Sequence, residues 1–138
     1  MRRSILSTSI LWTMAALLVS APVLAASLSA TAQTGVKTRV AMHSALDRSC
    51  APQHVIVKIT TPPANGAVTV TEENLAFPAN TKLGGEQPCA GTVSATAVLY
   101  YQSKPNFAGE DQFKYTRINQ DNPNDRLNGE ITMTLTVK

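Results

Sequence analysis

The chain has 138 residues, with 12 Lys and Arg against 9 Asp and Glu, a formal net charge of +3 and a pI of about 9.1. This length suits one domain with a modest single core. Binding to a phosphate backbone needs Lys and Arg clustered on one face, and the basic residues from Lys37 to Lys138 form no run, so the sequence argues against nucleic acid as a partner.

Residues 1–25 have the anatomy of a cleaved secretory signal peptide. Arg2 and Arg3 precede an apolar run over residues 10–19, and the segment ends on a small residue. A membrane-spanning helix needs about 20 apolar residues, so this run is too short, and an uncleaved anchor is the alternative. We expect cleavage after Ala25 and an exported protein, periplasmic or secreted, without a membrane span. The loss of Arg2 and Arg3 lowers the net charge from +3 to +1.

Cys50 and Cys89 are the two cysteines of the chain. In an exported domain of this size, two cysteines most simply form one structural disulfide. On the loop-entropy model, such a cross-link stabilises the fold by roughly 4 kcal/mol. A redox or metal-binding pair would be favoured by a Cys-x-x-Cys spacing, which this pair does not have. We expect the bond to hold down the long segment that precedes Cys89.

Residues 26–35 are small and polar and give no apolar face, which predicts a flexible N-terminal lead or a weak edge strand. From Val36 onward, short runs rich in Val, Ile and Thr alternate with Pro, Gly and Asn, and no run has the apolar spacing of a helix. The stretch from Glu72 to Gly91 is predicted to be irregular. Strands are predicted over residues 36–43, 54–61, 67–71, 93–102, 111–119 and 131–138.

The last predicted strand gives the clearest pattern. Ile131, Met133, Leu135 and Val137 alternate with threonines, which is typical of a strand with one face in the core and the other in water. About seven strands with turn signals at short intervals predict the fold class. We expect an all-β, two-sheet antiparallel sandwich over residues 36–138.

Two patches of the sequence together carry a resemblance to a known family. The first is residues 62–70, which read Pro-Pro-Ala-Asn-Gly-Ala-Val-Thr-Val. The second combines Tyr101 and the strand over residues 131–137 with a motif made of Pro105, Phe107, Gly109, Asp111, Phe113 and Tyr115. The chain thereby resembles the bacterial immunoglobulin-like and cadherin-like repeats of exported and surface proteins, over residues 55–138. The resemblance implies that the sandwich is immunoglobulin-like and serves as a spacer, an adhesion element or a binding module, although a single copy departs from the usual tandem array.

The second motif also makes physical sense as a tight turn that leads into an aromatic strand. Gly109 is free to adopt a positive φ, Phe107 can cap the open end of the core, and Asp111 can accept hydrogen bonds from amides of the turn that it follows. The resemblance further implies that Tyr115 is the corner tyrosine of the fold, with its hydroxyl bonded to the connecting loop. Arg117 then occupies the position of the second cysteine of the usual intersheet bridge.

Metal binding is the alternative function. The polar loop from Asn119 to Gly129 contains Asp121 and Asp125, whose carboxylates suit calcium, and repeats of the resembled family bind calcium near domain junctions. The loop lacks the spacing and the glycine of the twelve-residue calcium loop, so an Asn-rich turn is the other interpretation. His43 and His54 suit copper in an exported sandwich, but surface histidines would look the same.

The count of two histidines also limits catalytic chemistry. His43 and Ser44 are neighbours in sequence, and such neighbours point to opposite faces in an extended chain; the chain also has no Gly-x-Ser-x-Gly sequence. Adjacent acids such as Glu72 and Glu73 are typical of solvated turns rather than of a glycosidase cleft. We therefore expect no enzyme and no cofactor. We expect a binding or structural module that recognises a protein or envelope component through its end loops or a strand edge.

Overall fold

The computed structural model of the chain describes residues 25–78 and 89–138. The predicted signal peptide, apart from Ala25, lies outside the described residues. The strands, in chain order, are β1 (Ala26–Ala32), β2 (Thr38–His43), β3 (Ala45–Leu46), β4 (Pro52–Gln53), β5 (Val55–Thr61), β6 (Gly66–Ala76), β7 (Val93–Ser103), β8 (Gly109–Asn119) and β9 (Gly129–Val137). Within this part of the chain, no helix is long and apolar enough to cross a membrane.

Two sheets enclose one core. The first has four strands in the order β1-β9-β8-β5, and the second has three in the order β2-β7-β6, while β3 and β4 pair as a separate ribbon. All neighbours pair antiparallel except β1, which runs parallel to β9. This is the strand order of an immunoglobulin-type sandwich in which the first strand lies beside the last strand instead of the second. The structure confirms the predicted all-β sandwich.

The core is filled from alternate positions of the central strands, because every second side chain of a pleated strand faces the same side. Most of these side chains come from β7, β8 and β9. The buried residues of the cluster are Ala32, Leu99, Tyr101, Phe113, Tyr115, Ile131, Met133, Leu135 and Val137. The predicted alternation of β9 is confirmed, and Phe107 packs against the core from the turn before β8, as predicted.

The segment predicted as a flexible lead over residues 26–35 contains an edge strand. β1 pairs with β9 in register along all 7 of its residues. Only Ala32 is buried, so side-chain packing contributes little to its order. Of the two interpretations of residues 26–35, the weak edge strand is confirmed over Ala26–Ala32 and the flexible lead is wrong there. Backbone hydrogen bonds to an existing sheet edge order a strand whose small side chains would not indicate one.

β6 is longer than its sequence indicates. The stretch from Glu72 to Gly91 was expected to be irregular, yet residues 72–76 continue β6 and pair with β7 without a register shift. The long strand β7 provides 11 residues of paired backbone and so overrides the low strand propensity of the glutamates in this part of β6.

Asp111 connects the two patches that carry the family resemblance. Its buried carboxylate accepts hydrogen bonds from the backbone N–H groups of Ala64 and Asn65 at 3.1 and 2.9 Å. The hydroxyl of Tyr101 donates to the same carboxylate at 2.8 Å. The amides of Ala64 and Asn65 belong to the turn between β5 and β6. The prediction that Asp111 accepts hydrogen bonds from the turn before β8 is therefore wrong. The side chain of Asp111 faces inward from β8 and reaches the turn between β5 and β6.

Two glycines of these patches are required for different reasons. Gly109 has a φ of 131°, in the region that favours glycine, as predicted for the turn before β8. At Gly66, a Cβ atom would lie 2.5 Å from the ring of Tyr101 and 2.6 Å from the carbonyl oxygen of Gln102. Glycine is needed at Gly66 because of this close approach and not because of its backbone conformation.

Cys50 and Cys89 form the predicted disulfide, with their Cα atoms 5.4 Å apart. Cys50 lies in the turn between β3 and β4, where the Asp47 carboxylate accepts the backbone N–H groups of Ser49 and Ala51 at 2.8 and 2.9 Å. Cys89 is buried. The bond therefore ties the β3–β4 ribbon to the chain just before β7.

Candidate binding site at the β8–β9 end of the sandwich

Arg117 is a buried cation on the inner face of β8, where the alternation of the strand places its guanidinium between the sheets. Its Nη1 donates to Asp125 Oδ2 at 3.0 Å and to Asn128 Oδ1 at 3.3 Å. Its Nη2 donates to the carbonyl oxygen of Ser44 at 3.5 Å. A buried charge is tolerated when it is both paired and hydrogen-bonded, and Arg117 meets both conditions.

Asn119 and Asn128 close the two ends of the β8–β9 loop (residues 120–128). The Oδ1 atom of Asn128 accepts the backbone N–H of Asn119 at 2.6 Å, and its Nδ2 donates to the carbonyl of Asn122 at 3.1 Å. The Oδ1 atom of Asn119 accepts the backbone N–H groups of Asp121 and Asn122 at 3.1 and 3.2 Å. Hydrogen bonds from the side chains of Asn119 and Asn128 to the backbone of the loop thus hold the loop in one shape before any partner binds.

The pKa of the Asp125 carboxyl lies below its usual value. Partial burial acts to raise this pKa, but hydrogen bonds from the Leu127 amide, the Asn119 side chain and Arg117, together with the Arg117 charge, outweigh burial. The carboxylate is therefore kept ionised, and its oxygens are engaged by donors of the same protein.

His43, at the end of β2, bonds to Tyr115 on the opposite sheet, with Nε2 2.8 Å from the hydroxyl oxygen. Burial, followed by the nearby charge of Arg117, lowers the pKa of His43 from 6.5 to about 4, so the imidazole is neutral at pH 7. Burial raises the pKa of Tyr115 to about 12. The predicted corner-tyrosine bond to a connecting loop is corrected, because the inward-facing ring of Tyr115 points at β2 and its hydroxyl reaches His43.

A cavity of about 210 Å³, here called the end cavity, opens beside this cluster. Its lining residues are Ala26, Leu28, His43, Arg117, Ile131 and residues 126–130. Most of its surface is apolar, and Leu28 and Leu127 are 41% and 67% exposed. An apolar cavity of about 150 Å³ admits benzene, so the end cavity has room for one aromatic or branched side chain. Apolar walls with a few convergent polar groups are typical of a binding site.

The structure places the four predicted metal-ligand residues in different settings. His43 lines the end cavity, Asp125 is bonded to Arg117, which also lines it, and each is thus hydrogen-bonded within the protein. Asp121 is exposed, and its Oδ2 accepts the backbone N–H of His54 at 2.6 Å. His54 is also exposed. Among the described residues, no three His, Cys, Asp or Glu side chains are grouped as metal ligands would be.

Sequence reasoning missed the part that Arg117 plays at this site. A cation at an inward position of an aromatic strand, followed by an Asp- and Asn-rich loop, is the signal that could have found it. The pattern predicts that the loop folds back and neutralises the charge, as Asp125 and Asn128 do. The end cavity has no such signal, since it depends on how the edges of β1 and β2 meet in space.

Comparison with known proteins adds little to this geometry. No protein-family model and no curated protein matches the chain. Among solved structures, the chain is similar to the N-terminal domain of PorA, with 16% sequence identity, a TM-score of 0.44 and coverage of 82% of this chain and 87% of that chain. A similarity at this level does not bear on function. The resemblance to immunoglobulin-like and cadherin-like repeats stays a prediction.

Proposed function

We propose that the protein is an exported, non-catalytic β-sandwich module that binds a protein or another component of the cell envelope. The observation that carries this proposal is the end cavity beside a loop that is already held in shape. Loops at the end of a sandwich are common recognition elements, because the rigid strands hold them in place. The disulfide supports a location in an oxidising compartment, either periplasmic or extracellular.

The contacts of the polar side chains at the end cavity favour binding over catalysis. A histidine that acts as a general base is usually oriented by a carboxylate and reaches a nucleophile. His43 instead bonds to the hydroxyl of Tyr115, and the carboxylate of Asp125 bonds to Arg117. These contacts support structural roles for both residues.

Capture from an envelope extract tests the proposal. The immobilised chain, recovered after export with its disulfide intact, should retain a component in a saturable manner. Asp125→Ala, which loosens the β8–β9 loop, should weaken this capture. The matched control is Glu110→Ala, because Glu110 is an exposed acid at the start of β8, away from the loop. The proposal fails if the wild type captures nothing, or if Asp125→Ala captures as well as the control.

Equilibrium dialysis against Ca²⁺ and Cu²⁺ tests the metal-binding alternative. The proposal predicts no stoichiometric uptake of either ion and no change of Tm with a chelator. Uptake that Asp121→Ala or His54→Ala removes would support a metal-binding protein instead.

A further inference from the structure

The edge of β1 runs past the opening of the end cavity. β9 lies on one side of β1, and the described part of the chain has no strand on the other side. Leu28 is paired with Met133 and therefore faces the same side of the sheet, toward the core. Met133 is 1% exposed, whereas Leu28 is 41% exposed. The inner face of the sheet is thus incompletely covered where β1 begins, and the end cavity is the space that is left.

The other exposed edges carry features that discourage the addition of a strand. β5 contains Lys58 and a register shift, and β2 contains Arg39 and a register shift. β6 contains Glu72 and Glu73. β1 has no charged residue, no proline and no register shift over Ala26–Ala32. Of the four edges of the two described sheets, β1 is therefore the best suited to accept a further strand.

Charge at the rim of the end cavity indicates the chemistry of what binds there. Glu130 lies 3.6 Å from Lys114, and Arg117 lies 3.0 Å from Asp125, so these charges are paired. Arg126 is exposed and has no ion pair among the described residues. An acidic group on a partner would complement it.

We infer that the partner is an extended segment of another protein that adds as a strand to the free edge of β1. One large apolar side chain of this segment, aromatic or branched, enters the end cavity between Leu28 and Leu127. An acidic residue next to it meets Arg126. Backbone hydrogen bonds to β1 supply affinity, and the end cavity supplies specificity. The inference rests on the proposed function and specifies the partner.

A display library of nine-residue peptides, screened against the exported and oxidised chain, tests the inference. The enriched peptides should converge on one aromatic or branched apolar position next to an acidic residue. Leu127→Ser and Arg126→Glu should each weaken their binding by about tenfold or more, measured by titration calorimetry. Both residues are exposed, so these variants retain the fold. The matched controls are Val93→Ser and Arg39→Glu, at exposed positions outside the end cavity.

Amide hydrogen exchange supplies a second measurement on the same complexes. Binding of an enriched peptide should slow the exchange of backbone amides in β1 more than in β6. The inference is overturned if no sequence pattern is enriched, if Leu127→Ser and Arg126→Glu bind as the controls do, or if protection falls on another edge. A concentration-dependent dimer that Leu127→Ser abolishes would also overturn it, because the occupant would then be a second copy of the chain.

The two proposals fail in different ways. If the envelope extract yields a saturable partner whose capture Leu127→Ser does not affect, the proposed function holds and the β1 inference fails. If the peptides bind as described but the extract yields no partner, the β1 inference holds and envelope recognition fails.

Discussion

The imidazole of His43 lies between the sheets, bonded to the Tyr115 hydroxyl and close to the Arg117 guanidinium. Protonation would place a second positive charge in this partly buried space, where water cannot fully solvate it. The folded state therefore favours the neutral ring, and protonation of this one residue makes the fold sensitive to acid.

Lowering the pH from 6.5 to about 4 should weaken the fold through His43. The unfolded chain takes up a proton near pH 6.5 and the folded chain only near pH 4, so the free energy of unfolding falls across that window and recovers as pH rises. His43→Gln, which keeps a polar partner for Tyr115, should remove this part of the pH dependence. Urea unfolding at a series of pH values measures the effect.

His54→Gln is the control for this experiment, because it replaces the other histidine of the chain, which is exposed. Equal slopes of stability against pH for the wild type and His43→Gln would refute the role of His43. Asp125 affects stability in a different pH range from His43. Because the pKa of Asp125 is lowered in the folded state, the stability that it contributes is lost as the pH falls below the usual carboxyl pKa of 3.8.

The counter-charge of Arg117 gives a second prediction at a single residue. Asp125→Ala leaves a buried guanidinium without its carboxylate and should lower the free energy of unfolding by about 3 kcal/mol. Asp121→Ala, in the same loop, removes an exposed carboxylate that accepts one backbone N–H, and it should cost less. Thermal and urea unfolding of both variants measure the difference. Equal losses would show that the charge pair is unimportant.

At the scale of whole elements, the turn between β5 and β6 depends on a side chain from β8. Asp111 accepts two backbone N–H groups of that turn and the hydroxyl of Tyr101, which lies on β7. One carboxylate therefore connects both sheets to the turn between them. Gly66 allows this arrangement, because any side chain there would overlap the ring of Tyr101.

Asp111→Asn should destabilise the fold by about 2 kcal/mol, because one oxygen that accepts hydrogen bonds becomes an NH₂ group that faces donors. The loss should appear in urea unfolding, and the amides of Ala64 and Asn65 should exchange faster. Asp47→Asn is the matched control: Asp47 also accepts several hydrogen bonds within a turn, but it is only half-buried, whereas Asp111 is buried, so its loss should matter less. If the control loses as much stability, burial of Asp111 is not the cause.

Strands in which the type of side chain distinguishes the buried face from the exposed face could be predicted from the sequence. β9 alternates apolar and polar residues, and Phe113 and Tyr115 mark one side of β8, so these inner faces could be assigned. For β1 the sequence left a flexible lead and a weak edge strand open, and the second half of β6 could not be predicted, because the order of both comes from backbone pairing with another strand. At the candidate site, His43 and Asp125 were identified by residue type. The Arg117 partner of Asp125 has a signal in the sequence, but the Tyr115 partner of His43 depends on a contact between the two sheets that no local pattern indicates.

For the molecule as a whole, the disulfide and the candidate site lie on one connected path. Cys50 holds the β3–β4 ribbon to the chain before β7. From that ribbon, Gln53 Oε1 accepts the side chain of Asn119 at 2.9 Å, and the neighbouring Ser44 carbonyl accepts Arg117. The covalent link therefore supports the elements against which the β8–β9 loop is packed.

Replacing both cysteines, as Cys50→Ala with Cys89→Ala, should lower the free energy of unfolding by roughly 2 to 4 kcal/mol. It should also speed amide exchange in the β8–β9 loop, because the ribbon that supplies Gln53 loses its anchor. Urea unfolding and exchange are measured for the variant and the wild type with and without a reductant. The reductant should bring the wild type close to the variant and leave the variant unchanged. Equal stability of the variant and the oxidised wild type would show that the link is dispensable, and unchanged loop exchange would show that it does not support the site.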